Sequence, residues 1–284
     1  MQFKAAMFDF DGTITARGVY LPTREMADAL VGLAQKMPIA FCTGRQLESF
    51  VKRGFTALTE EIDSEDKKIL LKNLLLFAEN GALGYYFDLE AEEFKEFYHV
   101  DWPKNFVGRE ELKSLLGPQI GEHGQFYDNA HEIVLVIRTR LHDHEERDID
   151  EVYKLSEEIY EICVEGLKKF DPDFDQYLHV GNSGIGVVIG PANGDKDEGI
   201  KRFADYLSAQ RGLHFDDKAS EILVVGDSPQ IGGNDHYFLN GRFGTAYSVG
   251  GAVPGSAFPL QVFDSSGEIL SHDVGTLHLI NEFF

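Results

Sequence analysis

Short apolar runs alternate along the start of this chain with stretches in which apolar residues recur every three or four positions. Phe3 to Phe10 is brief, apolar and aromatic, which predicts a strand. Gly12 then breaks the pattern and permits a tight turn. Leu21-Pro22-Thr23-Arg24-Glu25 opens a helix, with Thr23 as N-cap and Met26, Leu30, Leu33 and Ala34 as its apolar stripe. Pro38 ends that helix. Ile39-Ala40-Phe41-Cys42 reads as a second buried strand, followed by Thr43-Gly44-Arg45 and a further helix from near Gln46. Strand, helix and strand in this order form a βαβ unit, so the two strands are expected to be parallel with a right-handed crossover.

Asp63 to Lys68 reads as a charged, solvated segment, and part of Leu70 to Ala78 as a third core strand. Glu79-Asn80-Gly81-Ala82 closes that strand, and Leu83 to Phe87 starts another. From Tyr85 to about Gly190 the texture changes. His131 to Arg140 alternates like a strand with one exposed face, and Val152 to Phe170 is an amphipathic helix with Leu155, Ile159, Ile162, Cys163 and Leu167 inward. Tyr177 to Val180 and Ile185 to Ile189 are strand candidates around the turn Gly181-Asn182-Ser183-Gly184. Strands and helices without a regular β–α alternation predict an α+β insert built on an antiparallel sheet. The alternation returns with a helix over Asp197 to Gln210 and strands at Ile222 to Val225 and Ala246 to Val249. The expected fold class is α/β, a doubly wound, mostly parallel core sheet formed by 1–83 and 191–284, with 84–190 as an inserted domain. Hinges are expected near Ala82–Tyr85 and Ile189–Asn193, where both junctions contain glycine.

Composition is that of an ordinary globular protein, at 43% hydrophobic and 26% charged residues over 284 positions. A formal net charge of −22 opposes nucleic acid, whose phosphates need a basic surface, and opposes docking on anionic membranes. No apolar run approaches the ~20 residues that span a bilayer, and no secretory signal is visible, so a cytoplasmic location is the expectation. Cys42 and Cys163 lie far apart in unlike contexts and read as buried small hydrophobes.

Asp9 and Asp11 change the picture, because they place two carboxylates where a buried strand ends. That edge of an open α/β sheet is where ligands bind, and acids there call for a cation, usually Mg²⁺. The stretch Met7-Phe8-Asp9-Phe10-Asp11-Gly12-Thr13 resembles the first motif of the haloacid dehalogenase superfamily, mostly phosphatases working through an aspartyl-phosphate. Three later pieces fit the same pattern. Thr43 at the end of the second strand matches the second motif, a hydroxyl donating to a phosphoryl oxygen beside the turn glycines Gly44 and Gly12. Lys196, in Asn193-Gly194-Asp195-Lys196-Asp197, fits the third, with Lys201 as the fallback. Ile222-Leu223-Val224-Val225-Gly226-Asp227-Ser228 is the fourth, followed by Asp235.

The resemblance implies roles and a Rossmann-like core. Asp9 is expected as nucleophile, since a carboxylate can split a hard displacement into two easier steps. Asp11 would protonate the leaving oxygen, and Lys196 would neutralise charge on Asp9 and the phosphoryl group. Mg²⁺ would be held by Asp9, the Asp11 carbonyl and Asp227, with Asp235 in direct or outer contact. Glu79-Asn80-Gly81-Ala82 resembles the step at which subfamily IIB members, such as Cof-like phosphatases, sucrose phosphatase and phosphomannomutase, enter their cap. Arg45 resembles the arginine common after the second motif of the Cof-like group. Arg138 and Arg140, two apart on a strand and so on one face, are candidate cap contacts to substrate, as are His131 and Tyr127. Pro229-Gln230-Ile231-Gly232-Gly233 lengthens the fourth motif beyond most Cof-like relatives and is similar to the eukaryotic phosphomannomutases. The expectation is a Mg²⁺-dependent phosphatase acting on a small phosphate ester, a sugar phosphate first. A phosphomannomutase-like phosphomutase and a non-catalytic sugar-phosphate-binding protein are the alternatives.

Overall fold

The computed structural model describes residues 3–19, 21–137 and 148–284. Its first layer is one eight-stranded sheet. The chain enters through β1 (Ala5–Phe8), crosses over α1 (Arg24–Ala34) and returns in β2 (Ile39–Cys42). Thr23 caps α1 by accepting the Met26 N–H. A helical run follows, with α2 (Leu47–Phe50) and α3 (Thr56–Glu60) joined through a widened π-type turn over Val51–Phe55. Next comes α4 (Ser64–Asn73), capped by Asp63, which accepts the Glu65 and Asp66 N–H groups. The charged segment read as a solvated stretch is therefore the exposed face of this helix, and Leu70 and Leu71 are its buried face. Then come β3 (Leu74–Ala78), β4 (Leu83–Asp88) and β5 (Glu93–His99).

The second layer follows as α5 (Arg109–Ile120), β6 (Gly124–Asp128), β7 (Ile133–Ile137), α6 (Ile149–Phe170), β8 (Leu178–Asn182) and β9 (Gly186–Pro191). The chain returns to the first through α7 (Lys196–Arg211), β10 (Ile222–Gly226), α8 (His236–Leu239), β11 (Thr245–Ser248), β12 (Leu260–Gln261) and α9 (His272–Phe283).

Strand order in the large sheet is β12-β11-β10-β1-β2-β3-β4-β5. It is parallel from β12 to β3 and antiparallel at β4 and β5. β5 and all of β4 beyond Leu83 lie in the stretch read from sequence as insert, yet β4 pairs onto β3 and β5 onto β4, so both extend the large sheet. The predicted hinge at Ala82–Tyr85 consequently sits at the start of a sheet strand, held by its ladder to β3. The smaller sheet, β6-β7-β9-β8, is antiparallel throughout.

Alternate residues of the central strands serve opposite faces. Phe8, Phe41 and Leu76 pack with Met26 and Leu30 of α1 and Leu279 of α9. Met7, Ala40, Cys42, Leu75 and Phe77 pack with Ile200, Phe203 and Leu207 of α7. A strand covered on both faces must be apolar at every position, which is why these strands read as unbroken apolar runs. The second sheet has its own core, with Leu112 and Leu116 of α5 and Ile159, Cys163 and Leu167 of α6 against Ile133, Leu135 and Ile189. Cys42 and Cys163 are both buried and unbridged. No helix among the described residues is long and apolar enough to cross a membrane.

Phe50 is fully buried and its ring stands 5.2 Å from Phe10 and 6.0 Å from Phe41. Phe50→Ala removes that filling beneath the first motif. The expected cost is about 3–5 kcal/mol, read as a lower urea midpoint with an unchanged slope.

Candidate active site

β1 and β10 are adjacent and parallel, so the residues after them emerge side by side at their carboxyl ends. The Asp9 N–H donates to the Val225 carbonyl at 2.8 Å, which continues the ladder and fixes Asp9 as the first residue beyond it. Gly12 turns the chain away with φ 79°. A Cβ there would stand 2.3 Å from Asp227 Oδ2, so a glycine is needed for both conformation and space. On the far side, Asp195 caps α7 by accepting the Glu198 N–H, and this places Lys196 in the first turn with its chain directed inward.

The Lys196 ammonium donates to Asp9 Oδ1 at 2.6 Å and to Asp235 Oδ1 at 2.6 Å. Lysine and both carboxylates are buried. Asp235 Oδ2 accepts the N–H groups of Asp227 at 2.9 Å and Ser228 at 3.1 Å. Both Asp235 oxygens are thus engaged by the protein, one on the ammonium and one on the loop after β10. Asp9, Asp227 and Asp235 each offer an oxygen within 4.8 Å of the others. Three carboxylates gather around one ammonium, with Asp9 and Asp235 buried and Asp227 partly exposed. Burial raises the Asp9 carboxyl to about 7, with Lys196 opposing and Asp235 and Asp11 adding to the rise. Asp227 is also raised, by burial and then by the Asp235 and Asp9 charges. Burial pushes Lys196 down, but the Asp235 and Asp9 carboxylates outweigh it and the net direction is up. An all-oxygen donor set with surplus negative charge fits a hard divalent cation.

Other candidate residues divide into those near this cluster and those apart from it. Thr43 is buried, and its hydroxyl accepts the Arg45 N–H at 3.2 Å. Arg45 grips Asp11 with two donors, Nε to Oδ2 at 2.8 Å and a second guanidinium nitrogen to Oδ1. The Gly12 N–H donates to the Thr15 hydroxyl at 3.3 Å. Tyr127 is exposed on β6, whereas the His131 ring stacks on His99 at 5.2 Å. Lys201 is half-exposed and pairs with Glu198, away from Asp9. Arg138 and Arg140 lie outside the described residues.

The seam between the two sheets holds further groups that sequence patterns did not reveal. Glu79 and Asn80 are consecutive non-glycine residues at φ 48° and 55°, a strained pair of the kind that clusters at functional sites. The Glu79 carboxylate accepts the Ala130 and His131 N–H groups at 3.0 and 2.7 Å, which ties β3 to the turn before β7. Asn80 donates to Glu132 Oε1 at 3.2 Å, and Glu132 is fully buried. Thr13 lies 3.4 Å from Asp9 Oδ2 through its hydroxyl. His272 donates from Nδ1 to the Gly12 carbonyl at 2.8 Å, next to Asp227. Thr13, His131 and the Glu79-Asn80-Gly81 step lie in stretches that carried a sequence signal; Glu132 and His272 depend on long-range packing.

Neither a protein-family model nor a curated protein sequence matches the chain. Similar solved structures do exist. The IMP-bound, N-terminally truncated IMP-nucleotidase of Plasmodium falciparum matches with TM-score 0.57 and 19% identity, over 85% of this chain and 63% of that one. The chain thus spans less than two thirds of that relative's length. The C-terminal domain of C. albicans trehalose-6-phosphate phosphatase matches with TM-score 0.63 and 15% identity, over 99% and 92% of the two chains. A Eubacterium rectale structure matches with TM-score 0.57 and 14% identity, over 99% of each chain. What these structures share with the chain is the fold, a mostly parallel α/β sheet beside a separate antiparallel sheet.

Glu132 yields a pH prediction. Burial, and then the Glu79 charge, hold its carboxyl well above the usual range. The folded form therefore keeps a proton that the unfolded chain releases above about 4.5. Stability attributable to this group is present at low pH and lost as pH rises through that window. Glu132→Gln, neutral at every pH, is expected to flatten the fall in melting temperature between pH 5 and 8, read by calorimetry.

Proposed function

We propose that this chain is a Mg²⁺-dependent phosphatase of the subfamily IIB kind, which hydrolyses a small sugar phosphate under a cap formed by the second sheet and its helices. One observation carries the reading: a buried ammonium bonded to Asp9 and Asp235, with Asp227 close enough to share a cation, at the carboxyl ends of β1 and β10. The names of two similar structures support the substrate class, because IMP and trehalose 6-phosphate are both phosphate monoesters of a sugar hydroxyl.

Mg²⁺ held by Asp9 and Asp227, with Asp235 behind them, would neutralise the repulsion between an anionic nucleophile and an anionic phosphate. Lys196 engages Asp9 Oδ1, and Oδ2, reached by the Thr13 hydroxyl only at 3.4 Å, is the attacking oxygen. Oδ2 forms a bond to phosphorus while the ester oxygen departs, and Asp11 supplies the proton that oxygen needs. In the second half, Asp11 takes a proton from water, the water oxygen attacks phosphorus, and the Asp9 carboxylate is released with inorganic phosphate. Asp11 can act only when Arg45 loosens its two-donor grip. An arriving phosphate dianion offers Arg45 an alternative partner of matching fork geometry. The Thr43 hydroxyl and the Gly44 backbone hold the remaining phosphoryl oxygens.

A panel of phosphate esters with Mg²⁺ tests this reading. Free phosphate from a sugar phosphate supports it, and conversion of glucose 1-phosphate to the 6-phosphate marks a phosphomutase. Asp9→Asn is expected to lower phosphate release by on the order of 10⁴-fold or more, with EDTA silencing the wild type and Mg²⁺ restoring it. No turnover above the Asp9→Asn control on any ester would identify a binding protein.

A further inference from the structure

The lengthened loop between Asp227 and Asp235 has a visible use at the seam. Asn182, the last residue of β8, donates its N–H to the Gly232 carbonyl at 2.7 Å and accepts the Asn234 N–H at 3.0 Å. The two chains form a short parallel bridge there, Asn182 against Gly233. The second sheet is thus joined by backbone hydrogen bonds to the loop that carries two of the clustered carboxylates. The loop is shaped for this contact. Gly232 has φ 82°, and a Cβ on it would stand 2.8 Å from the Tyr160 ring of α6. A Cβ on Gly233 would meet the Ser228 carbonyl at 2.5 Å. The Gly233 N–H donates to the Gln230 carbonyl at 2.8 Å, and the Asp235 N–H donates to the Ser228 carbonyl at 3.1 Å.

Asn182 is itself fixed by its side chain. Its Oδ1 accepts the Ser156 hydroxyl of α6 at 2.6 Å and the Gly184 N–H at 2.8 Å. Next along the loop, the Asn234 amide lies between the sheets. A Cβ on Gly181 would be 3.3 Å from its Oδ1, and one on Gly44 would be 3.7 Å from its Nδ2. A displacement at Asn234 moves Asp235 directly, and Asp235 holds both Lys196 and the Asp227 backbone.

We infer that Asn182 is a positioning residue, through which the seated cap holds the Asp227–Asp235 loop in its cation-binding geometry. The inference rests on the reading of the acid cluster as a cation site. A loop with two glycines and no bridge samples many backbone states, so cap seating removes freedom that the carboxylates would otherwise have to lose on binding an ion. The insert then contributes to the metal site of the core, besides covering it.

The test titrates Mn²⁺ onto the full chain, with free Mn²⁺ read by its electron paramagnetic resonance signal and amide exchange followed at Asn182 and Asn234. Asn182→Ala removes the acceptor for Ser156 and Gly184, while Asn182→Asp keeps it. Asn182→Ala is expected to weaken Mn²⁺ binding about tenfold, the scale seen when outer partners of metal ligands are lost, and to speed exchange at both amides. Asn182→Asp is expected to bind as the wild type does. Should Asn182→Ala fail to fold, Ser156→Ala loosens the same oxygen more gently and is expected to weaken binding by about threefold, below the full outer-partner loss. Unchanged Mn²⁺ affinity in the folded alanine variant, or an aspartate variant as weak as alanine, overturns the positioning role alone. A wild type that binds no Mn²⁺ overturns the cation-site reading and the positioning role with it.

Discussion

A lysine ammonium at 1% exposure cannot remain charged inside a fold unless the fold brings carboxylates to it. Lys196 has two at 2.6 Å, and the surrounding architecture serves to deliver them. Asp9 comes from the end of β1, Asp235 from the loop after β10, and Lys196 from the first turn of α7. Parallel pairing of β1 with β10 sets the first two side by side. The Asp195 cap sets the third. Removing Lys196 would leave buried carboxylates with no cation beside them, so the ammonium and its two partners constrain one another. The remaining imbalance of three acids against one ammonium is what makes a divalent cation the natural completion of the site.

Among the described residues the buried apolar clusters of the two sheets are separate, and polar contacts cross the seam around this site. Glu79 takes two amides from the turn before β7, Asn80 reaches Glu132, and Asn182 bridges to Gly232 and Asn234. Hydrogen-bonded seams can part at a modest net cost per bond, whereas an apolar interface of the same extent would resist opening. The strained backbone at Glu79 and Asn80 lies where the core sheet begins this contact.

Much of the core was legible in the sequence because burial on both faces imposes unbroken apolar strands, each ended by a polar candidate residue. Asp9, Thr43 and Asp227 all stand directly after such strands. Lys196, singled out by its likeness to a family motif, stands at the start of α7, one residue before the expected helix. Elements with weaker patterns were missed. β5 is an edge strand with Glu93, Lys95 and Glu96 beside Phe94 and Phe97, so it lacks a clear apolar run. α4 shows its charged face in its first turn, and that face masked a helix whose buried side is only Leu70 and Leu71. α5 carries Pro118 and glycine within it and reads poorly as a helix. Glu132 and His272 have no local motif at all. Their contacts join residues more than 50 and 250 positions apart, and only the folded chain creates them.

The central claim is that Asp9 is the carboxylate placed to accept a phosphoryl group. The most direct measurement is a crystal structure of the protein soaked with beryllium fluoride and Mg²⁺, since tetrahedral fluoroberyllate mimics a phosphoryl group on a carboxylate. The expected result is beryllium bonded to Asp9 Oδ2, with Lys196 still on Oδ1. Beryllium on Asp11, Asp227 or Asp235, or no adduct while the cation is bound, would contradict it.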